Sequence, residues 1–540
     1  MSSALDGLGG FDMGLLWRNR FCIGVKRDNE YRCGGDAGED AKSKAVELLV
    51  EAVERMRRWR VWETWWVDEV MDEWLIARDR LETQLRGKYS DDVVNAITGL
   101  VDKFINYNER FLNYWREVSN EVRKLIEDLT NGRAEVVIRG ENATGVSVHY
   151  EHVTLETDST NIGGVTVKLV LNGLKGMTIK VSDVFRKAMS RREYRRFIRK
   201  VLRALKGGFE ETDGRIEEGK ATMGTTQTWQ VIVWSLLYPG DNYVHVDAVN
   251  INEGGVTITW HLRTGHRPLK GKILGNVDKL GEEELLAFTL TAVLGDGWAD
   301  VVKTIKNGRV YDEAVITITM SSEKFKAWEP LFERLKSMGF RSSEPYSEGN
   351  AVKIPFYGSN AIDLAKAMIN ILPPILRDVL DALAFEKWER IKRIAEMEVK
   401  FRIGESQINV TGYKFTVEVH EGTVALVHRA RDGVEADEVI NALKVNYGDE
   451  FHAHVNRSGK YLVVRIPMYE FEKHDDIKAQ VIEVLRRKLE KTKDEKKKQI
   501  ITKHLTRLTT PTKGAAAANH LEDPLALTQL QGKYGTEEMV

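Results

Sequence analysis

The sequence predicts an α+β protein with a mixed α/β core, open to reading as a diverged tandem duplication. A long antiparallel α-helical hairpin and a β-rich segment precede the core. Three observations carry this. Two long patterns of apolar residues at 3–4 spacing, joined by a short connection, fill the stretch from about Asp40 to Leu129. Runs that alternate with period two, such as AVITITM over 314–320, recur from about residue 135 onward. An uncharged helix, Leu285 to Leu294, is too uniformly apolar for a solvated surface.

A chain of 540 residues holds roughly two to four domains, each long enough for its own core. The 80 Lys+Arg and 81 Asp+Glu nearly cancel, so any nucleic-acid surface must be local. No uncharged run is long enough to span a bilayer, and MSSALDGLGG lacks the pattern of a signal peptide. A cytoplasmic protein without membrane contact is the expectation. The only two cysteines, Cys22 and Cys33, lack the partners of a structural zinc site. A disulfide across a hairpin stays open and would suit a hyperthermophile, toward which the high charged content also leans.

Residues 1–39 read as a flexible N-terminal segment. An antiparallel coiled-coil hairpin is expected over 40–131: a helix from Asp40 to Arg86, then one with the heptad Val94, Ile97, Val101, Phe104, Asn108, Phe111 and Trp115. The cluster Trp59, Trp62, Trp65 and Trp66 is too rich for one seam and predicts packing on the rest of the protein or a partner face. A β-rich domain spans 132–280 and carries a basic helix over 190–206. Ser190 and Glu193 form its capping box. Arg192, Arg195, Arg196 and Arg199 stand on that helix with so little acid that phosphate contact is expected, against the plainer reading of a solvated face. Strands are expected at WQVIVWSLLY, YVHVDAVNI and VTITWHLR over 229–263, with His245, His261 and His266 structural.

The core unit covers 281–398 and opens on EEELLAFTLTAVLGDG. Glu282 to Glu284 suit a helix N-terminus, and Gly297 can end the helix. Ala287, Thr291 and Gly295 recur every four residues, a small-residue stripe for close approach of another helix. Asp296 sits at the negative end of the dipole, at a cost of roughly 0.3–1 kcal/mol. That placement suggests a metal or catalytic task, although Asp is also an ordinary turn former. Two strands, a helix, a strand and a helix follow to Leu372. VKIPFY at 352–357 and VRIPMY at 464–469, with LGDG at 294–297 and IGES at 403–406, suggest a diverged second unit with a C-terminal helix over 399–508. Composition makes 509–540 a disordered tail.

TLTAVLGDG over 289–297 resembles the signature helix of the LAGLIDADG homing endonucleases, although Thr291 and Ala292 stand where Gly and a large aliphatic are usual. The resemblance implies a LAGLIDADG-like core in which two such helices pack together and the acid before the last glycine binds Mg²⁺ at the scissile phosphates. The implied metal residues are Asp296 and Gly295. The implied catalytic set is Asp296, Lys353 on a core strand, and Glu405 from the second copy. Lys303, Lys306, Arg309 and Arg465 join the basic helix as candidate contacts to double-stranded DNA. A homodimer through the signature helix or the hairpin would supply a second acid if Glu405 does not. WSLLYPGDNYVHVDAVNINEGGVTITWHL through LLAFTLTAVLGDGWAD is similar to the PaRep repeat-family proteins of hyperthermophilic crenarchaea, over roughly 180–400. That implies an archaeal, mobile-element origin and little biochemistry. The expected function is DNA binding, with Mg²⁺-dependent endonuclease activity in view. The alternatives are an inactive DNA-binding protein of the same fold and a coiled-coil structural or assembly protein.

Overall fold

The computed structural model describes residues 13–27, 30–140, 144–159, 164–306, 309–397, 406–430, 432–458, 461–492 and 494–510. It divides into two compact units, residues 1–399 and 400–540. The N-terminal unit starts with α1 (Met13–Leu16) and the hairpin β1 (Arg20–Arg27) and β2 (Glu30–Asp36). Cys22 and Cys33 are disulfide-bonded across that hairpin, with Cα atoms 5.5 Å apart. β1 pairs parallel to β3 (Glu135–Arg139), so residues 20–27 and 30–36 belong to a sheet and not to a flexible segment.

The helix expected from Asp40 to Arg86 is two helices, α2 (Glu39–Arg58) and α3 (Trp65–Leu85). Arg60 adopts a positive φ of 45° at the break. The indole N–H groups of Trp66 and Trp115 both donate to the Val61 carbonyl, at 3.1 and 3.2 Å, satisfying an acceptor that the break frees. α4 (Asp91–Thr130) returns antiparallel to α3 and buries the heptad residues, Asn108 included. This seam does not stand alone as a coiled coil. Trp74 of α3 and Phe104 of α4 stack with ring centroids 5.0 Å apart, and each meets Trp260 of the sheet edge-on. Of the tryptophan cluster itself, Trp59 donates to the Asn252 carbonyl at 3.0 Å and buried Trp66 packs on Trp115 of α4, so these two follow the first of the two expectations, packing on the rest of the protein.

That sheet continues through β4 (Gly145–His149), β5 (Val153–Ser159), β6 (Val165–Leu171) and β7 (Met177–Val181). After α5 (Val184–Ala188), the expected basic helix divides at Lys200 into α6 (Arg191–Arg199) and α7 (Val201–Thr212). The capping box between Ser190 and Glu193 is formed. Next come β8 (Gly214–Glu217), β9 (Lys220–Thr225), α8 (Thr228–Leu237), β10 (Gly240–Asn252) and β11 (Gly255–Thr264). The expected strand WQVIVWSLLY is the helix α8, buried throughout. Among the described residues these strands form one 11-stranded sheet, order β2-β1-β3-β4-β5-β6-β10-β11-β9-β8, with β7 on the other half of the β10 edge.

α9 (Glu282–Leu294) is fully buried from Leu285 to Leu294. β12 (Trp298–Lys306), β13 (Arg309–Ser321), α10 (Ser322–Ser337), β14 (Tyr346–Glu348), β15 (Ala351–Tyr357) and α11 (Ser359–Asn370) follow. Their sheet has the order β12-β13-β15-β14. Upstream, β8-β9-β11-β10 runs in the same order, with α7 and α8 in the places of α9 and α10. Helix, hairpin, helix, hairpin thus occurs twice in succession within 201–357. α12 (Pro374–Leu383) and α13 (Glu386–Glu396) close the unit.

The C-terminal unit has its own core around Phe415, Leu426, Ile466 and Val484. β16 (Gln407–Val410), β17 (Tyr413–Val419), β18 (Val424–Ala430), β19 (His454–Ser458) and β20 (Tyr461–Pro467) form a sheet ordered β16-β17-β18-β20-β19. α14 (Gly433–Tyr447) joins β18 to β19, and α15 (Met468–Phe471), α16 (Asp475–Lys491) and α17 (Glu495–Thr509) end it. Lys353 pairs with Thr319 and Tyr346 on the strands either side; Arg465 pairs likewise with Val427 and His454. Residues 403–405, and the tail from 511, lie outside the described residues.

Candidate functional site

The small-residue stripe of α9 finds its partner within the chain. α7 and α9 lie against each other at two glycines. A Cβ at Gly208 would overlap Thr291 Oγ1 and the Phe288 carbonyl and come 3.1 Å from Ala292 N. A Cβ at Gly295 would overlap Thr212 Oγ1 and fall 2.9 Å from Asp213 Oδ2. Only residues without a side chain allow this approach. α7 thus covers the face through which a homodimer of signature helices was expected.

The crossing brings two carboxylates together at the helix ends, Asp213 after α7 and Asp296 after α9. The sequence reading missed Asp213. Its signal is GGFEETDG over 207–214, which like the end of α9 places a small residue five positions before an Asp-Gly pair. Burial pushes the Asp213 carboxyl up to about 6; the charge of Asp296 pushes the same way, while the Gln230 amide, Lys387 and Lys270 oppose it. Gln230 Nε2 donates to Asp213 Oδ2 at 2.5 Å. Asp296 is exposed, yet crowding by protein still raises its pKa against the pull of Lys324, Lys387 and Lys270.

Three lysines surround the pair, each held by a different element. Lys387, near the start of α13, donates to the carbonyls of Leu294, at 2.9 Å, and Gly295. Two contacts fix that end of α13. The Phe385 ring stacks on Trp229 with centroids 3.8 Å apart, and buried Trp388 donates to Asp381 at 2.8 Å. Lys270 lies in the linker after β11 and donates to the Gly214 carbonyl. That linker is clamped by α7: Glu210 accepts the amides of Leu269 and Lys270, and Glu211 accepts that of Gly271. Lys324, at the start of α10, reaches the Glu211 carbonyl at 3.4 Å. Burial lowers the pKa of Lys387, and the two aspartates partly restore it.

Within the N-terminal unit, Lys353, Lys303 and the α6 arginines make no contact with this pair. Lys353 lines a hollow of about 510 Å³ on the second sheet, with Trp298, Val302, Thr317, Tyr346 and Tyr357, and its ammonium pairs with Glu348. Strand alternation puts exposed Lys303 on the opposite face from Trp298 and Val302, so Lys303 and Lys353 do not share a surface. Lys306 and Arg309 are opposite each other in the backbone register of β12 and β13. On α6, Arg192, Arg195 and Arg199 are exposed, whereas Arg196 is paired with Glu283. Arg465 is held by Glu418 at 2.8 Å in the C-terminal unit. Glu405 lies outside the described residues. Among the described residues, no group of three or more His, Cys, Asp or Glu is placed to hold a metal ion.

No family model and no curated protein matches the chain. Among solved structures it is similar to full-length DUF199/WhiA from Thermatoga maritima: 13% identity, 57% of this chain, 90% of that chain, TM-score 0.21. It is also similar to the I-LtrWI LAGLIDADG homing endonuclease bound to target DNA: 11% identity, 42% of this chain, 97% of that chain, TM-score 0.13. A third is LAGLIDADG homing endonuclease I-GzeII in complex with a DNA target: 10% identity, 41% of this chain, 94% of that chain, TM-score 0.12. No described helix is long and apolar enough to cross a membrane.

Proposed function

We propose that this chain is a DNA-binding protein of LAGLIDADG-like fold whose working pair of units is 201–264 and 281–372. The observation that carries the reading is the α7–α9 crossing, which sets Asp213 beside Gly295 and hence next to Asp296. Two acids held together against their mutual repulsion mark a functional site more often than a structural one. The strand order shared by the two units, and by β17-β18-β20-β19, supports descent from one repeated unit, with the C-terminal unit as a third, diverged copy. The exposed arginines of α6 supply backbone contacts, and the three lysines leave the acid pair with an excess of positive charge toward phosphate.

Mg²⁺, which the resemblance implies, does not fit the donor set as it stands. Gly295, one of the two expected metal residues, already gives its carbonyl oxygen to Lys387. This favours binding without cleavage over an endonuclease. An assembly role through the helical hairpin is disfavoured because its seam is spent on the sheet around Trp260.

Fluorescence anisotropy of labelled duplex DNA across a salt series tests the reading. The full chain should bind, with log K falling linearly against log salt. Arg192→Ala, Arg195→Ala and Arg199→Ala together should weaken binding to every sequence and reduce the salt slope by about one per lost phosphate contact. Arg196→Ala should change it less, because Glu283 already neutralises that side chain. Absence of binding at low salt would sink the proposal.

A further inference from the structure

Each of the two helix ends that carry an acid also receives a lysine from elsewhere in the unit. A helix C-terminus presents carbonyl oxygens without intrahelical partners, and a carboxylate beside them adds to the negative field. Oxygens of both kinds are the ligands a hard divalent cation takes. At the α9 end these are the Leu294 and Gly295 carbonyls and the Asp296 carboxylate, with Asp213 against Gly295. Lys387 donates to both carbonyls, and its charge acts on both carboxylates. At the α7 end Lys270 does the same for the Gly214 carbonyl.

Neither lysine arrives by chance of a long side chain. Lys387 is delivered by a helix whose first turn is stacked on α8 through Phe385 and Trp229. Lys270 is delivered by a linker whose backbone amides are gripped by Glu210 and Glu211, both buried. Building a low-dielectric slot for an ammonium costs free energy, so the slot must return something.

Resting on the DNA-binding reading above, we propose that Lys387, assisted by Lys270, is the protein's own cation at the paired helix ends. Its ammonium holds the Gly295 carbonyl oxygen that a divalent metal would otherwise take and sets its charge against the two carboxylates, so the site engages DNA without metal. Removing that ammonium uncovers a divalent-cation site formed by Asp213, Asp296 and the Gly295 carbonyl. Lys387 is a positioning residue here: it fixes the charge and spacing of the helix ends, and it breaks or makes no bond in DNA.

The test uses Mn²⁺ as the probe, titrated into the full chain and followed by electron paramagnetic resonance of the free ion. Wild type should show no Mn²⁺ binding that depends on Asp213 or Asp296. Lys387→Met, which keeps the length and loses the charge, should gain at least tenfold in Mn²⁺ affinity. Lys387→Met with Asp213→Asn should lose that gain, and Lys387→Arg should behave as wild type. Wild-type DNA affinity should be unchanged by EDTA. Mn²⁺ binding by wild type that disappears in Asp296→Asn would overturn the proposal, as would Lys387→Met that folds and gains nothing. Should Lys387→Met fail to fold, the wild-type Mn²⁺ titration with its Asp296→Asn control still decides. Failure of DNA binding as such would count against the proposed function and leave the Mn²⁺ result standing.

Discussion

Gly208→Val is expected to produce the largest loss of stability of any single change at the site, well beyond that of Gly208→Ala. The smaller substitution alone should cost roughly 1–3 kcal/mol, the range for overpacking a well-filled core. The new Cβ would overlap Thr291 Oγ1 and the Phe288 carbonyl. A hydroxyl can rotate away; a backbone carbonyl inside a helix cannot, because it is committed to its own ladder. Relief therefore requires α7 and α9 to separate, which loosens a helix whose residues from Leu285 to Leu294 are all buried. Gly224→Ala is the control, since a Cβ there meets nothing within 4 Å. Its thermal midpoint should stay near that of wild type. A wild-type midpoint for Gly208→Val would mean that the two helices do not touch at this point.

What the sequence disclosed about this crossing was one half of it. α9 was legible because ten uncharged residues between three glutamates and Gly-Asp-Gly admit a single reading. α7 ends in the same Asp-Gly, but it follows a run of arginines and contains Glu210 and Glu211, so it looks like the tail of a solvated basic helix. Those glutamates are buried because they accept the amides of Leu269, Lys270 and Gly271, some sixty residues further on. Local composition cannot announce a contact of that range. The second acid that the sequence offered, Glu405, lies downstream and outside the described residues, whereas the carboxylate beside Gly295 is Asp213, upstream. Lys387 was hidden for the same reason, being one charge among many on a charged helix until α13 is docked.

Two secondary-structure errors have equally local causes. A ten-residue apolar run such as Thr228–Leu237 fits a buried strand or a buried helix, and periodicity does not choose between them. The break between α2 and α3 carries neither proline nor glycine; it is held by indoles of Trp66 and Trp115, one of them from another helix. The hairpin and sheet alternation of 298–357, by contrast, was legible because period two with turn residues at the ends is a strong local signal.

Asp213→Asn should stabilise the protein at neutral pH and remove a pH dependence that wild type shows. The Asp213 carboxyl moves from an ordinary 3.8 to about 6 on folding. Its folded-state value is the higher one, so between these values the native state binds more protons than the unfolded chain. Stability from this group is therefore greatest below pH 4 and is lost as pH rises through about 6. At about 1.4 kcal/mol per pKa unit, the half-buried carboxylate costs on the order of 3 kcal/mol above that window. Asp213→Asn keeps an oxygen for the Gln230 amide and loses the charge. The difference in unfolding free energy between the two proteins should grow from pH 4 to pH 7 and then level. Asp296→Asn should shrink the window, because the like charge that helps raise Asp213 is gone. Urea denaturation at half-unit pH steps measures all three. Parallel pH profiles for wild type and Asp213→Asn would mean that Asp213 is unstrained where it lies. The expected divergence would mean that the chain keeps an acid where folding alone would prefer an amide, as a site retained for binding or chemistry does.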